Sequence, residues 1–386
     1  MSSKGVSTKD VLQDHSQAKV KLYTDYLSLY LSILGNTPHL ERIWLFDVLC
    51  GEGKYKDGAE GSALRGLRTV LAYFTSTPRT KVKLNVRLND WGQSDVDPKQ
   101  KKIQRVEEYA STIPLPQDKV TVRYSCSEYD TMLEEVCTTL KSIKSTEKSL
   151  VFIDPWGYKS IKPQKLMDLF SCNRCEILLF LPTTHMYRFA NAATIDIAEE
   201  KVPACFLPLK SLLQELFDNA VPRFQRFEEF ESELLQRLQE KIGAGYKSSF
   251  MLETASRNKY SLFFFTPHVK GLDAFNQACW NLDKEAGKGH IHRKNPGQLT
   301  LSFNGSEVEH INQLRSFIKL GQATNRQIYE FGVVNRRLTK STHAALNHLR
   351  ERGEVTVEAQ DGKPVPKNAN YLDYKPKREV LFKYTG

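Results

Sequence analysis

Two acidic strand ends and a glycine-rich turn hold the residues of this chain whose types and spacing could do chemistry. Asp47-Val48-Leu49-Cys50-Gly51-Glu52-Gly53 closes an apolar run, residues 43–49, that only Asp47 interrupts. Gly51 and Gly53 allow a turn tight enough to bring backbone amides, with Cys50 beside them, against a ligand. A second strand candidate, residues 83–88, ends in Asn89-Asp90. A carboxylate there is placed to accept hydrogen bonds from both hydroxyls of a ribose, while Asp47 can hold a ligand ammonium or an ordered water. This set points to a nucleoside rather than a bare phosphate, and the chain contains no GxxxxGK[ST] loop for P-loop hydrolysis. In the competing reading Asp90 only caps a helix starting near Pro98.

A third acid ends the run 150–153, in Asp154-Pro155-Trp156-Gly157-Tyr158. This segment resembles the (D/N)PP(Y/F/W) motif of amino-methyltransferases. The resemblance implies that Asp154 accepts a hydrogen bond from the amine to be methylated, and that Pro155 and Trp156 help hold a flipped-out base by stacking. Trp156 stands where the motif has its second proline and Gly157 where it has its aromatic residue. The structural alternative is an Asp-Pro strand exit with a core tryptophan. S-adenosylmethionine (SAM) is the expected cofactor, held by Asp47, Cys50, Gly51, Gly53 and Asp90. Its sulfonium is already electrophilic, so alignment matters more than acid–base help.

Phe46-Asp47-Val48-Leu49-Cys50-Gly51-Glu52-Gly53-Lys54-Tyr55, then Asp57-Gly58, Gly61-Ser62 and Phe152-Ile153-Asp154-Pro155-Trp156-Gly157, are similar to the runs of the three-Cys-motif partner protein family (TcmP). The likeness covers most of the chain, with Cys50 where an alanine is usual and Ala63 where a proline is usual. It implies a methyltransferase-like fold and a protein partner encoded nearby, and it leaves the reaction open.

The elements that must position these residues follow from periodicity. Residues 9–34 read as an amphipathic helix. The runs 43–49, 83–88, 120–124, 150–153 and 176–181 alternate with helical segments, which predicts βαβ units and a parallel sheet. Residues 249–255 and 260–266 flank Ser256-Arg257-Asn258-Lys259 as an antiparallel hairpin closing the sheet edge. The charged helical segment 186–247 is an insertion that either lids the pocket or covers the sheet. The expected class is therefore α/β: a Rossmann-like, class I SAM methyltransferase-type doubly wound sheet over residues 1–285, a linker over 286–300, and a winged-helix-like domain over 301–386.

That last domain reads as helices over 309–319, 324–331 and 338–352 and strands over 353–357 and 379–384, with Thr339 capping the third helix. Its 14 Lys and Arg against 9 Asp and Glu give it half of the chain's formal charge of +10. Such a balance favours an anionic partner, nucleic acid being the commonest. Arg336, Arg337, Lys340, His343 and Arg350 are the expected contacts, with Lys340, His343, Asn347 and Arg350 facing outward from the third helix. Small winged modules also dock proteins, so both partners stay open.

Seven scattered cysteines argue against a disulfide framework. The lone Cys172/Cys175 CxxC and the pair His290 and His292 do not make a convincing metal site. No apolar run approaches the ~20 residues of a membrane span, and residues 1–10 carry no signal-like core, so a cytoplasmic location is expected. Three functions remain: a SAM-dependent methyltransferase acting on nucleic acid at a base amino group; a methyltransferase-shaped protein that binds nucleic acid or a partner without transfer; and, last, a metal-dependent nuclease, for which no PD…(D/E)xK pattern sits at a strand end.

Overall fold

The computed structural model describes residues 14–155, 161–171, 174–190, 206–284, 287–291 and 303–386. The chain divides into two compact units, Met1–Pro267 with Gly289–His292 and His268–Lys288 with Arg293–Gly386.

In the first unit α1 (Asp14–Gly35) leads into an alternation of β1 (Arg42–Asp47), α2 (Ser62–Ser76), β2 (Lys83–Asn89), α3 (Lys102–Ala110), β3 (Val120–Ser125), α4 (Tyr129–Ser142), β4 (Glu147–Ile153), α5 (Pro163–Phe170) and β5 (Cys175–Leu181). The helices α6 (Thr183–Ala190), α7 (Leu207–Leu216) and α8 (Phe227–Ile242) precede β6 (Tyr246–Glu253) and β7 (Lys259–Thr266). The strands form one sheet in the order β3-β2-β1-β4-β5-β7-β6-β8, where β8 is Gly289–Ile291. Strands β1 to β5 pair in parallel, and β7 runs antiparallel to both β5 and β6. The winding reverses between β1 and β4, and this is where an open α/β sheet leaves a crevice at its carboxyl ends.

Side-chain alternation assigns the layers. Val151, Ile153, Phe263 and Phe265 share a buried cluster with α4, α5, α7 and α8. Their neighbours Phe152 and Phe264 therefore point to the opposite face. There α1 covers them: Tyr23 stacks on Phe152 at 4.7 Å and Tyr26 meets Phe264 edge-on at 4.9 Å. Every residue of β5 is buried, as a central strand covered on both faces requires.

Two local readings change. Segment 186–247 is mostly a covering layer: Leu209, Leu213, Leu216, Phe230, Leu234 and Leu238 are all buried in the α5/β5 cluster. The hairpin forms with Glu253 opposite Lys259, yet it does not end the sheet. Gly289–Ile291, inside the expected linker, adds a parallel strand outside β6; three residues are too few for a periodic signal.

In the second unit α9 (Val269–Leu282), placed by its sequence before the linker, groups with α10 (Phe303–Lys319), β9 (Ala323–Thr324), α11 (Asn325–Val334), α12 (Thr339–Glu351), β10 (Val355–Ala359) and β11 (Val380–Tyr384). Polar bonds explain the grouping: Asn276 donates to the Val333 carbonyl at 2.8 Å, Trp280 Nε1 to the Arg336 carbonyl at 2.9 Å, and Tyr329 to Asp273 at 2.9 Å. Strand β11 lies between β10 and β9, antiparallel to both. Thr324 caps α11 in a reciprocal box with Gln327. Thr339 is the first residue of α12 rather than its cap, a place taken by Leu338 without a side-chain bond.

Candidate functional site

A cavity of about 380 Å³ opens at the carboxyl ends of β1 and β4. The glycine turn, Leu49 to Tyr55, lines it together with Lys19, Ser62, Asp95, Lys102, Asp154, Pro155, Phe180, Pro182 and Tyr260.

The turn is held from behind. Gly51 and Gly53 sit at φ of 68° and 82°, the left-handed region that glycine enters without strain. Asp90 stands under the turn, accepting the Gly51 amide at 3.0 Å and the Gly92 amide at 2.8 Å on its two oxygens. Asn89 extends the brace by donating to the Val48 and Ser127 carbonyls, each at 3.0 Å. Burial pushes the Asp90 carboxyl up, against these amides and the nearby Lys102.

Of the residues expected to hold a cofactor, Cys50, Gly51 and Gly53 line the cavity. Asp47 and Asp90 stand behind its wall, 2% and 3% exposed. Asp90 therefore braces the loop through both oxygens and does not cap the following helix, α3, whose N-cap is Lys101. Asp47 accepts from the Ser62 hydroxyl at 2.7 Å, while its other oxygen is buried without a partner. Burial, offset in part by Ser62 and reinforced by the nearby Asp154, raises its pKa to about 7. Burial likewise pushes the Cys50 thiol up, so it is no ready nucleophile.

Besides Asp154, two acids that the sequence did not single out face the cavity. Glu52, between the two glycines, accepts from Ser94 at 2.6 Å and pairs with Arg105 at 3.5 Å. Asp95 pairs with the buried Lys102 at 3.2 Å. Glu52 was in plain view inside the turn; Asp95 reaches the cavity only through the loop after β2, which no local pattern announces.

Asp154 and Pro155 line the cavity, whereas Trp156 lies outside the described residues. Asp154 accepts from Lys19 of α1 at 2.5 Å, with the two side chains 23% and 11% exposed. The Lys19 ammonium also sits 4.5 Å from the Phe180 ring centre, and Phe180 stacks on Tyr260 at 5.3 Å. Burial opposes the Lys19 charge, but the facing Asp154 carboxylate outweighs it and leaves the ammonium above its usual range. Helix periodicity could not single out Lys19, since a lysine beside an apolar face ordinarily reaches solvent.

The five residues expected to touch nucleic acid are placed unevenly. Lys340 is exposed. Arg337 is mostly buried and 3.9 Å from Glu309. Arg336 has a left-handed backbone, and its Nε and one terminal nitrogen are buried without partners. His343 and Arg350 do not face outward: with Asn347 they hold Asn370, at 3.2, 2.7 and 2.8 Å.

No family model and no curated protein matches the chain, so the three-Cys-motif partner resemblance rests on its motifs alone. Among solved structures the chain is similar to PKMT2 from Rickettsia typhi, at 11% identity and a TM-score of 0.29 over 87% of this chain and 70% of that one. It is also similar to loganic acid methyltransferase with SAH, at 8% identity and a TM-score of 0.27 over 99% and 98%. Likenesses at these TM-scores decide neither fold nor function.

Proposed function

We propose that the first unit is a class I SAM-dependent methyltransferase acting on nucleic acid, and that the second is a winged-helix-like module that helps to hold the substrate. The observation that carries this reading is the cavity at the switch between β1 and β4, bounded by the glycine turn on one side and Asp154 on the other. A reversed seventh strand between the fifth and sixth separates this sheet from the all-parallel 3-2-1-4-5-6 dinucleotide-binding order, and it suits a methyltransferase-type sheet. Helices α10, α11 and α12 with a three-stranded antiparallel sheet suit the winged form of the second unit.

The residues present fit SAM. A buried, unpartnered Asp47 oxygen is the kind of orphan that a ligand donor or a water satisfies. At Gly51 a side chain would meet nothing within 4 Å, which leaves room over the turn. The glycine turn, Glu52 and Asp95 would hold the nucleoside portion. Bound there, SAM supplies an electrophilic methyl group. Asp154, Pro155 and the Phe180/Tyr260 pair would form the acceptor side.

Calorimetry with SAM tests the reading. Wild type should bind, and Asp90→Ala should weaken binding by about 10- to 100-fold, because losing both carboxylate oxygens frees the Gly51 and Gly92 amides at a cost of about 2–3 kcal/mol. Absence of binding by wild type would remove the enzyme. That result would favour a methyltransferase-shaped binding protein, a second reading supported by one observation: Lys19 already occupies an Asp154 oxygen.

A further inference from the structure

Resting on the methyltransferase reading, we propose that the acceptor at Asp154 is a hydroxyl, the 2′-hydroxyl of an RNA ribose, and that Lys19 and Asp154 act on it as a pair. The (D/N)PP-type expectation gives Asp154 the task of accepting a hydrogen bond from an amine. Here its Oδ2 already accepts from the Lys19 ammonium at 2.5 Å, and both side chains line the cavity.

Charge decides between the two acceptors. A nitrogen gains positive charge as it takes a methyl group, and an ammonium paired with the same carboxylate opposes that change. An oxygen that sheds its proton gains negative charge, which the mostly buried ammonium stabilises. The Phe180 ring, 4.5 Å from the Lys19 ammonium, adds a cation–π contact that favours this placement. The other Asp154 oxygen takes no hydrogen bond among the described residues and is the base within reach. In the balanced step the acceptor oxygen forms its bond to the methyl carbon as the sulfonium S–C bond breaks. The hydroxyl proton passes to Asp154 and on to water, and a neutral thioether is left.

The cavity wall favours a ribose over a simple alcohol. Phe180 and Tyr260, stacked at 5.3 Å, offer a flat apolar surface for the ring next to the hydroxyl. The 2′-hydroxyl is also the group that separates RNA from DNA.

The test uses the full chain. Calorimetry first establishes that wild type binds SAM; if it does not, the methyltransferase reading fails and this inference with it. Wild type loaded with S-adenosylhomocysteine is then titrated with a short mixed-sequence RNA and with DNA of the same sequence. The RNA should bind about tenfold more tightly, a difference on the order of one hydrogen bond to a charged group, and Lys19→Met and Asp154→Asn should each erase the preference. Equal wild-type affinities would overturn the inference while leaving the methyltransferase intact, and this comparison stands even if Lys19→Met fails to fold. Finally, RNA incubated with wild type and SAM is digested to nucleosides. Mass spectrometry should find the methyl group on ribose, with about 100-fold less product from Lys19→Met; a base-methylated nucleoside, or none, would overturn it.

Discussion

Arg350 donates to the side-chain oxygen of Asn370 at 2.7 Å, tying the long connection between β10 and β11 to α12 of the C-terminal unit. Arg350 also reaches the Ala369 carbonyl at 3.2 Å, and Asn370 donates to Asn347 at 2.8 Å. Asn370 is 1% exposed, so its loss strands several polar groups away from water. We expect Asn370→Ala to destabilise the unit by about 2–3 kcal/mol and to open residues 360–379 to protease. A melting curve with limited proteolysis checks this, and an unchanged cleavage pattern would refute the tether.

Glu176 gives a pH signature. Tyr26 and Thr266 both donate to it, yet burial dominates and raises its pKa from 4.5 to about 7. A carboxyl raised on folding contributes stability that is complete below 4.5 and is lost as pH climbs through about 7. Glu176→Gln keeps an acceptor and cannot ionise. Its melting temperature relative to wild type should therefore rise between pH 5 and pH 8, by several degrees if about 1–2 kcal/mol is recovered. A constant difference across that range would show that Glu176 does not titrate on folding.

Much of the first unit was legible because its signals are local. Parallel strands buried on both faces appear as apolar runs, and β1, β4 and β5 lie where such runs predict them, while β2 shows itself by alternation. The glycine turn and Asp154 could be placed beside one cavity because strand ends converge in this topology. What escaped was set by tertiary contact. Lys19 lies 135 residues from Asp154 in sequence and meets it only when α1 covers the sheet. The bracing role of Asp90 escaped too, because only the loop's return path brings the Gly51 and Gly92 amides to its oxygens. His343 and Arg350 looked exposed from helical period alone, and no period foresees a loop folding back onto them.

Gly53 tests the turn itself. At φ of 82° any side chain is strained, and a Cβ would touch Leu64, Val106 and Tyr109, each at 3.4 Å, so the strain lies in the backbone. The left-handed backbone costs a non-glycine residue roughly 1–2 kcal/mol. Gly53→Ala should therefore weaken SAM binding about tenfold in calorimetry while the secondary structure, followed by circular dichroism, stays intact. Wild-type affinity in the variant would mean that the turn does not shape the cavity.

The basic residues of the second unit separate by salt dependence. Each phosphate contact contributes about 0.7 to the slope of log affinity against log salt on single strands and about 0.9 on duplexes. Lys340 is exposed, whereas Arg337 faces Glu309 and Arg350 is committed to Asn370. Replacing Arg336, Arg337 and Lys340 together should lower nucleic-acid affinity and flatten that slope by about one to two contacts, with Lys340→Ala alone giving most of the change. Arg350→Ala should lower the melting temperature and leave the slope untouched, because its guanidinium holds protein and not phosphate. A slope lost in Arg350→Ala but kept in Lys340→Ala would reverse that assignment, and would mean that the Asn370 tether opens when nucleic acid binds.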